Sequence, residues 1–135
     1  MNIVLDACVV IAFLRGETGA AVVKDVLTDS QHLCFLHSTN ACEIYYDYLR
    51  ISDHSTAQQV IQDLIDIKIS IHSDMDVEFW QVAGHYKAQF RRISLADCFA
   101  IAPSQRLGAT LLTSDGIAFG IKSFSAWVDV AKSGA

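Results

Sequence analysis

The stretch Asn2-Ile3-Val4-Leu5-Asp6-Ala7-Cys8-Val9-Val10-Ile11-Ala12-Phe13-Leu14 decides the fold. A short apolar run stops at an acid, and a second apolar run follows it. Residues 2–6 read as a strand, and Val9 to Leu14 as a buried first helix. An acid between two apolar segments is costly there without a partner. The arrangement recurs along the chain. Glu43 comes shortly after Leu33-Cys34-Phe35-Leu36, Asp97 opens an apolar helix, and Asp115 follows Thr110-Leu111-Leu112-Thr113-Ser114.

Outward from that stretch, strands are expected at residues 2–6, 33–37, 69–72, 110–114 and 121–124. In the third, Ile67, Ile69 and Ile71 alternate with Lys68, Ser70 and His72. Helical stripes lie between the strands: Val60, Ile61, Leu64 and Ile65; then Phe79, Val82, Ala83, Tyr86 and Phe90; then Leu95, Cys98, Phe99 and Ala102. Residues 20–28 and 40–50 also read as helices. Short apolar strands alternating with helices predict an α/β fold whose mostly parallel sheet is covered on both faces. Right-handed crossovers then bring the strand carboxyl ends to one edge, where such sheets bind ligands. Like charges about 4 Å apart repel by roughly 4 kcal/mol at an effective dielectric of about 20. Carboxylates gathered on that edge therefore take up protons or hold a hard cation such as Mg²⁺ or Mn²⁺.

Each acid also has a local explanation. Asp6 suits an N-cap. Glu43 suits the first turn of a helix, with Thr39 or Asn40 as its cap. Ser94-x-x-Asp97 resembles a capping box with Asp in place of Glu or Gln. Asp115 precedes Gly116, as turn aspartates often do. Asp47, one turn after Glu43 on the same face, could be a fifth acid but reads rather as solvated. Trp80 and Trp127 read as core or interface residues, and the five histidines are scattered without ligand spacing.

The 135 residues fit one domain, 1–135. No run approaches the roughly 20 apolar residues of a membrane span, and the opening lacks the basic flank of a signal peptide. The four cysteines (Cys8, Cys34, Cys42, Cys98) form no C-x-x-C pair, so they read as reduced thiols of a cytoplasmic protein rather than zinc ligands. The net charge of −5 argues against a general nucleic-acid coat or a membrane-surface binder, and leaves a metal-dependent nuclease open.

The order of motifs resembles a PIN domain, in particular the VapC-type toxin ribonucleases. Ile3-Val4-Leu5-Asp6-Ala7-Cys8-Val9-Val10-Ile11 resembles that family's first strand and first acid. Asn40-Ala41-Cys42-Glu43-Ile44 matches the second acid, and Ser94-Leu95-Ala96-Asp97-Cys98-Phe99-Ala100-Ile101-Ala102 the third. Leu107-Gly108-Ala109-Thr110-Leu111-Leu112-Thr113-Ser114-Asp115 matches the last motif and fourth acid. The resemblance implies a PIN-like three-layer α/β/α sandwich on a mostly parallel sheet of about five strands. It also implies Mg²⁺- or Mn²⁺-dependent endoribonuclease activity, a homodimer, and a small antitoxin that covers the active site. Asp6, Glu43, Asp97 and Asp115 would hold the metal, with Thr113 and Ser114 hydrogen-bonding an acid or a phosphate oxygen. Arg91 and Arg92 would meet the RNA backbone or, alternatively, complement the dipole of the preceding helix.

Two departures stand out. Cys8 occupies the place where the family usually has serine or threonine, and a thiol suits a hard metal or its water poorly. This favours the alternative of a catalytically silent PIN-like module that binds RNA or protein. Pro103 falls where the family continues a helix, so a kink is expected there, after Asp97. A receiver domain would want an acidic pair at the first strand end, and a haloacid-dehalogenase-type hydrolase a D-x-D motif; Ala7 and Cys8 stand in those places.

Overall fold

The computed structural model describes residues 1–113 and 127–129. Its strands are β1 (Asn2–Leu5), β2 (Leu33–His37), β3 (Ile69–His72), β4 (Thr110–Thr113) and β5 (Trp127–Asp129). They form one sheet in the order β3-β2-β1-β4-β5, and every neighbouring pair is parallel. The expected parallel α/β sheet is thus found. Asp115, Ser114 and the expected strand at 121–124 lie outside the described residues.

The sheet is central because β1 is apolar on both sides. Val4 lies opposite Phe35 on β2 and Leu111 on β4. Val4 and Leu111 pack with Phe79, Ala83 and Tyr86 of α5 (Val77–Gln89) and with Phe99 and Ile101 of α6 (Leu95–Leu107). Their neighbours Ile3, Leu5 and Leu112 turn the other way, as the period of two demands. They join Val9 and Val10 of α1 (Ala7–Arg15), Val23 of α2 (Ala20–Thr28), Ile44 of α3 (Ser38–Ile51) and Leu64 of α4 (His54–Asp66). The result is a three-layer sandwich with a core on each face of the sheet. Burial of each Leu or Ile contributes roughly 1.5–3 kcal/mol.

Several local expectations change. The alternation around β3 begins only at Ile69: α4 ends at Asp66, Ile67 caps it, and Lys68 takes a left-handed φ of 75°. Helix α6 runs through Pro103 without ending, and seven consecutive residues, Cys98 to Ser104, are buried in it. The proline removes one amide donor, and the burial of its neighbours offsets that loss along the helix. Trp80 is 46% exposed, so of its two readings, core or interface residue, the core one falls. Helices α1 and α6 both end on left-handed glycines, Gly16 at φ 63° and Gly108 at φ 58°, a conformation that costs other residues a steric penalty.

Candidate active site

Asp6 lies between β1 and α1, and it is fully buried. Its extended backbone (φ −87°, ψ 171°) lets the side chain turn back over the helix start. Oδ1 accepts a hydrogen bond from the Val9 amide at 2.9 Å. Oδ2 accepts one from the hydroxyl of Thr113, itself fully buried at the end of β4. The Asp6 amide donates to the Leu112 carbonyl at 3.3 Å. Asp6 is therefore an N-cap, as its local sequence suggests, but one tied to a second strand. An amide and a hydroxyl orient a carboxylate without cancelling its charge.

Asp97 occupies the first turn of α6. The Ser94 hydroxyl accepts from the Asp97 amide, and Asp97 Oδ2 accepts from the Ser94 amide, both at 3.1 Å. This is the reciprocal capping box expected from the sequence. Burial, helped by the nearby Asp97 charge, pushes the Cys98 thiol up to about 11. The segment before α6 is held by Lys87, whose ammonium donates to the carbonyls of Arg91 at 3.1 Å and Ile93 at 2.6 Å. Arg91 and Arg92 are exposed on that segment.

Glu43 is half-buried in α3. Neither Thr39 nor Asn40 caps this helix. His37 does so, with Nδ1 accepting from the Thr39 amide at 3.1 Å. That bond leaves the proton on Nε2, which donates to the Asp74 carbonyl at 2.8 Å. The ring packs against both Phe79 and Phe99, with centroids 5.1 and 5.3 Å away and the two phenyl rings 5.9 Å from each other, and burial pushes its pKa below the usual histidine value.

Asn40 does something the sequence did not suggest. Fully buried, it accepts from the Ala7 amide through Oδ1 and donates to the Ala96 carbonyl through Nδ2, both at 3.3 Å. Ala7 follows Asp6, Ala96 precedes Asp97, and Glu43 lies one turn beyond Asn40 on the same helix. One amide thus links the three acid-bearing segments. Its only sequence signal is a polar side chain one turn before Glu43.

Asp47 is not solvated as expected. It pairs with Arg15 from α1 and with Arg50 at 2.7 Å, and these partners hold its pKa below the usual carboxylate range. Cys8, beside Asp6, is half-buried. Among the described residues no three histidine, cysteine or acidic side chains form a group able to hold a metal ion. Asp115 and Ser114 stand outside that set. The donor chemistry nonetheless fits a hard cation: the candidate ligands are all carboxylates, and buried Asp6 is oriented by neutral donors.

A PIN-domain family model matches residues 3–120, a span that contains Asp6, Glu43, Asp97 and Asp115. The chain belongs to the PIN-domain family. Its fold is that of several solved complexes. VapBC-1 from nontypeable Haemophilus influenzae superposes with a TM-score of 0.73 at 15% identity, covering 96% of this chain and 98% of the other. VapBC2 from Rickettsia felis, bound to a DNA fragment from its promoter, gives 0.71 at 13% identity over 95% and 98%. A toxin–antitoxin complex from Klebsiella pneumoniae gives 0.70 at 11% identity over 94% and 96%. No protein of curated function matches the sequence. Among the described residues of this PIN protein, no helix is long and apolar enough to cross a membrane.

Proposed function

We propose that the chain is a metal-dependent endoribonuclease and the toxin of a toxin–antitoxin pair. The observation that carries this reading is Asp6: a fully buried carboxylate at the end of the central strand, fixed by Thr113 from the adjacent strand, inside a PIN match that spans residues 3–120. PIN domains are generally nucleases that use divalent ions, and the similar folds come from VapBC and toxin–antitoxin complexes.

Asp6, Glu43, Asp97 and Asp115 would hold one or two Mg²⁺ or Mn²⁺ ions. Bound there, the metal supplies an activated water and stabilises charge on the phosphate under attack. The chain's own part is orientation. Val9 and Thr113 fix both oxygens of Asp6, and the capping box fixes one oxygen of Asp97. Arg91 and Arg92, exposed on the segment held by Lys87, would meet RNA phosphates and set its register. The partners are an RNA substrate, a small antitoxin chain and a second copy of this chain, and the compartment is the cytoplasm.

The test is RNA cleavage in Mg²⁺ or Mn²⁺ by the wild type and by Asp6→Asn and Asp97→Asn. Loss of metal-dependent cleavage in both variants supports the assignment, and undiminished activity in them sinks it. Cys8 favours the second reading, a silent PIN module. Metal and RNA binding by the wild type without turnover, gained on Cys8→Ser, would select it.

A further inference from the structure

Asn40 is fully buried on α3, yet its side chain makes no bond that its own helix needs. The Ala7 amide belongs to the first turn of α1, where donors lack partners within the helix. Asn40 Oδ1 satisfies it. The Ala96 carbonyl has two lone pairs, and Asn40 Nδ2 takes one of them. Both contacts reach residues adjacent to acids, Asp6 on one side and Asp97 on the other. Glu43 follows three residues later, on the same side of α3 as Asn40.

We infer that Asn40 is a positioning residue: its amide sets the separation of the Asp6, Glu43 and Asp97 backbones and thereby the affinity of the site for a divalent cation. The inference rests on the metal-site reading above. A side-chain amide suits this role because it offers a donor and an acceptor on one rigid plane. Its two contacts tie α1 and α6 to α3 without adding charge beside the acids. Leucine has similar volume and no polar atoms, so Asn40→Leu removes both contacts and leaves the packing filled. Asn40→Asp keeps the bond from Ala7 and loses the donor to Ala96. Its extra negative charge would by itself tighten cation binding, so weaker binding in this variant comes from the lost tie.

The test is calorimetric titration of Mn²⁺ into the full chain without RNA, together with the Mn²⁺ dependence of cleavage. The wild type, Asn40→Leu, Asn40→Asp and a stability control, Ser104→Ala, are compared. Ser104 is buried in α6, and its hydroxyl donates to the Ile101 carbonyl at 2.6 Å, within its own helix. The expected result is about a 10-fold or greater loss of Mn²⁺ affinity in Asn40→Leu, a smaller loss in Asn40→Asp, and none in Ser104→Ala. Cleavage at saturating Mn²⁺ stays within about threefold of wild type, so the half-saturating concentration moves and the maximal rate does not. If Asn40→Leu fails to fold, Asn40→Asp decides. Wild-type affinity in the Asp variant, or equal losses in the Asn40 variants and Ser104→Ala, overturns the positioning role and leaves the metal reading standing. A wild type that binds no Mn²⁺ overturns both, and that result is recognisable before any variant is made.

Discussion

Asp6 and Asp76 have the same local role and opposite surroundings. Each is an N-cap with an extended backbone, and each accepts from the amide three residues on, Val9 at 2.9 Å and Phe79 at 3.0 Å. Asp76 lies on the surface, where Arg106 grips both its oxygens at 2.7 and 2.9 Å and Phe79 lies under the guanidinium at 5.0 Å. The Arg106 hydrogen bonds, then the Phe79 amide, lower its pKa to about 2. Asp6 is buried, and its bonds to Val9 and Thr113 come from neutral groups. Capping is therefore common to both acids, and what separates them is the second donor, a guanidinium on Asp76 and a hydroxyl on Asp6.

The sharpest way to break this contrast is to neutralise each acid. Asp6→Asn should lower metal-dependent RNA cleavage by more than the roughly 10–100-fold typical of residues one layer behind a metal. Asp76→Asn should leave cleavage unchanged. Equal rates for the two variants would erase the distinction. Next comes Thr113→Val, which removes the hydroxyl from Asp6 and keeps the side-chain shape. Cleavage should fall about 10-fold, and urea denaturation should record a loss of about 1.5–3 kcal/mol, the range for hydrogen bonds to charged groups.

A third arm uses pH. His37 titrates below its ordinary value of 6.5 because it is buried, so the unfolded chain binds its proton more readily than the folded one. Its contribution to stability is complete above pH 6.5 and is lost as pH falls below it through the folded-state value. Asp76 shifts from 3.8 to about 2, so its contribution persists above pH 3.8 and disappears only as pH falls through about 2. Urea midpoints at pH 7.5 and pH 5.5 should therefore differ for the wild type and differ less for His37→Gln, while Asp76→Asn retains the wild-type difference. The smallest effect belongs to Asp76→Asn in thermal unfolding, a slight drop in Tm, because exposed ion pairs contribute little.

Much of this molecule was legible in its sequence. Continuous apolar runs marked β1, β2 and β4 to within a residue, because buried parallel strands need no alternation. The capping box at Ser94 and Asp97 was legible because its two partners are three residues apart. Partners remote in sequence were hidden. Asn40 reads as a helix cap until Ala7 and Ala96 are brought to it, and Asp47 reads as solvated until Arg15 arrives from α1. His37 looked like one of several scattered histidines because its stacking partners, Phe79 and Phe99, lie on two other helices. Ile67 joined an apparent alternation that the end of α4 interrupts. At Pro103 the helix continues, and burial from Cys98 to Ser104 offsets one lost bond.

The hydrogen bond between Thr113 and Asp6 joins residues 107 positions apart. Contacts of such sequence separation form late, after the loop entropy between them has been overcome. During synthesis β1 leaves the ribosome long before β4 and must wait for it to dock alongside. The carboxylate at its end acquires the Thr113 anchor only once β4 has been made, so a translation product truncated before Thr113 carries the acid without that hydroxyl.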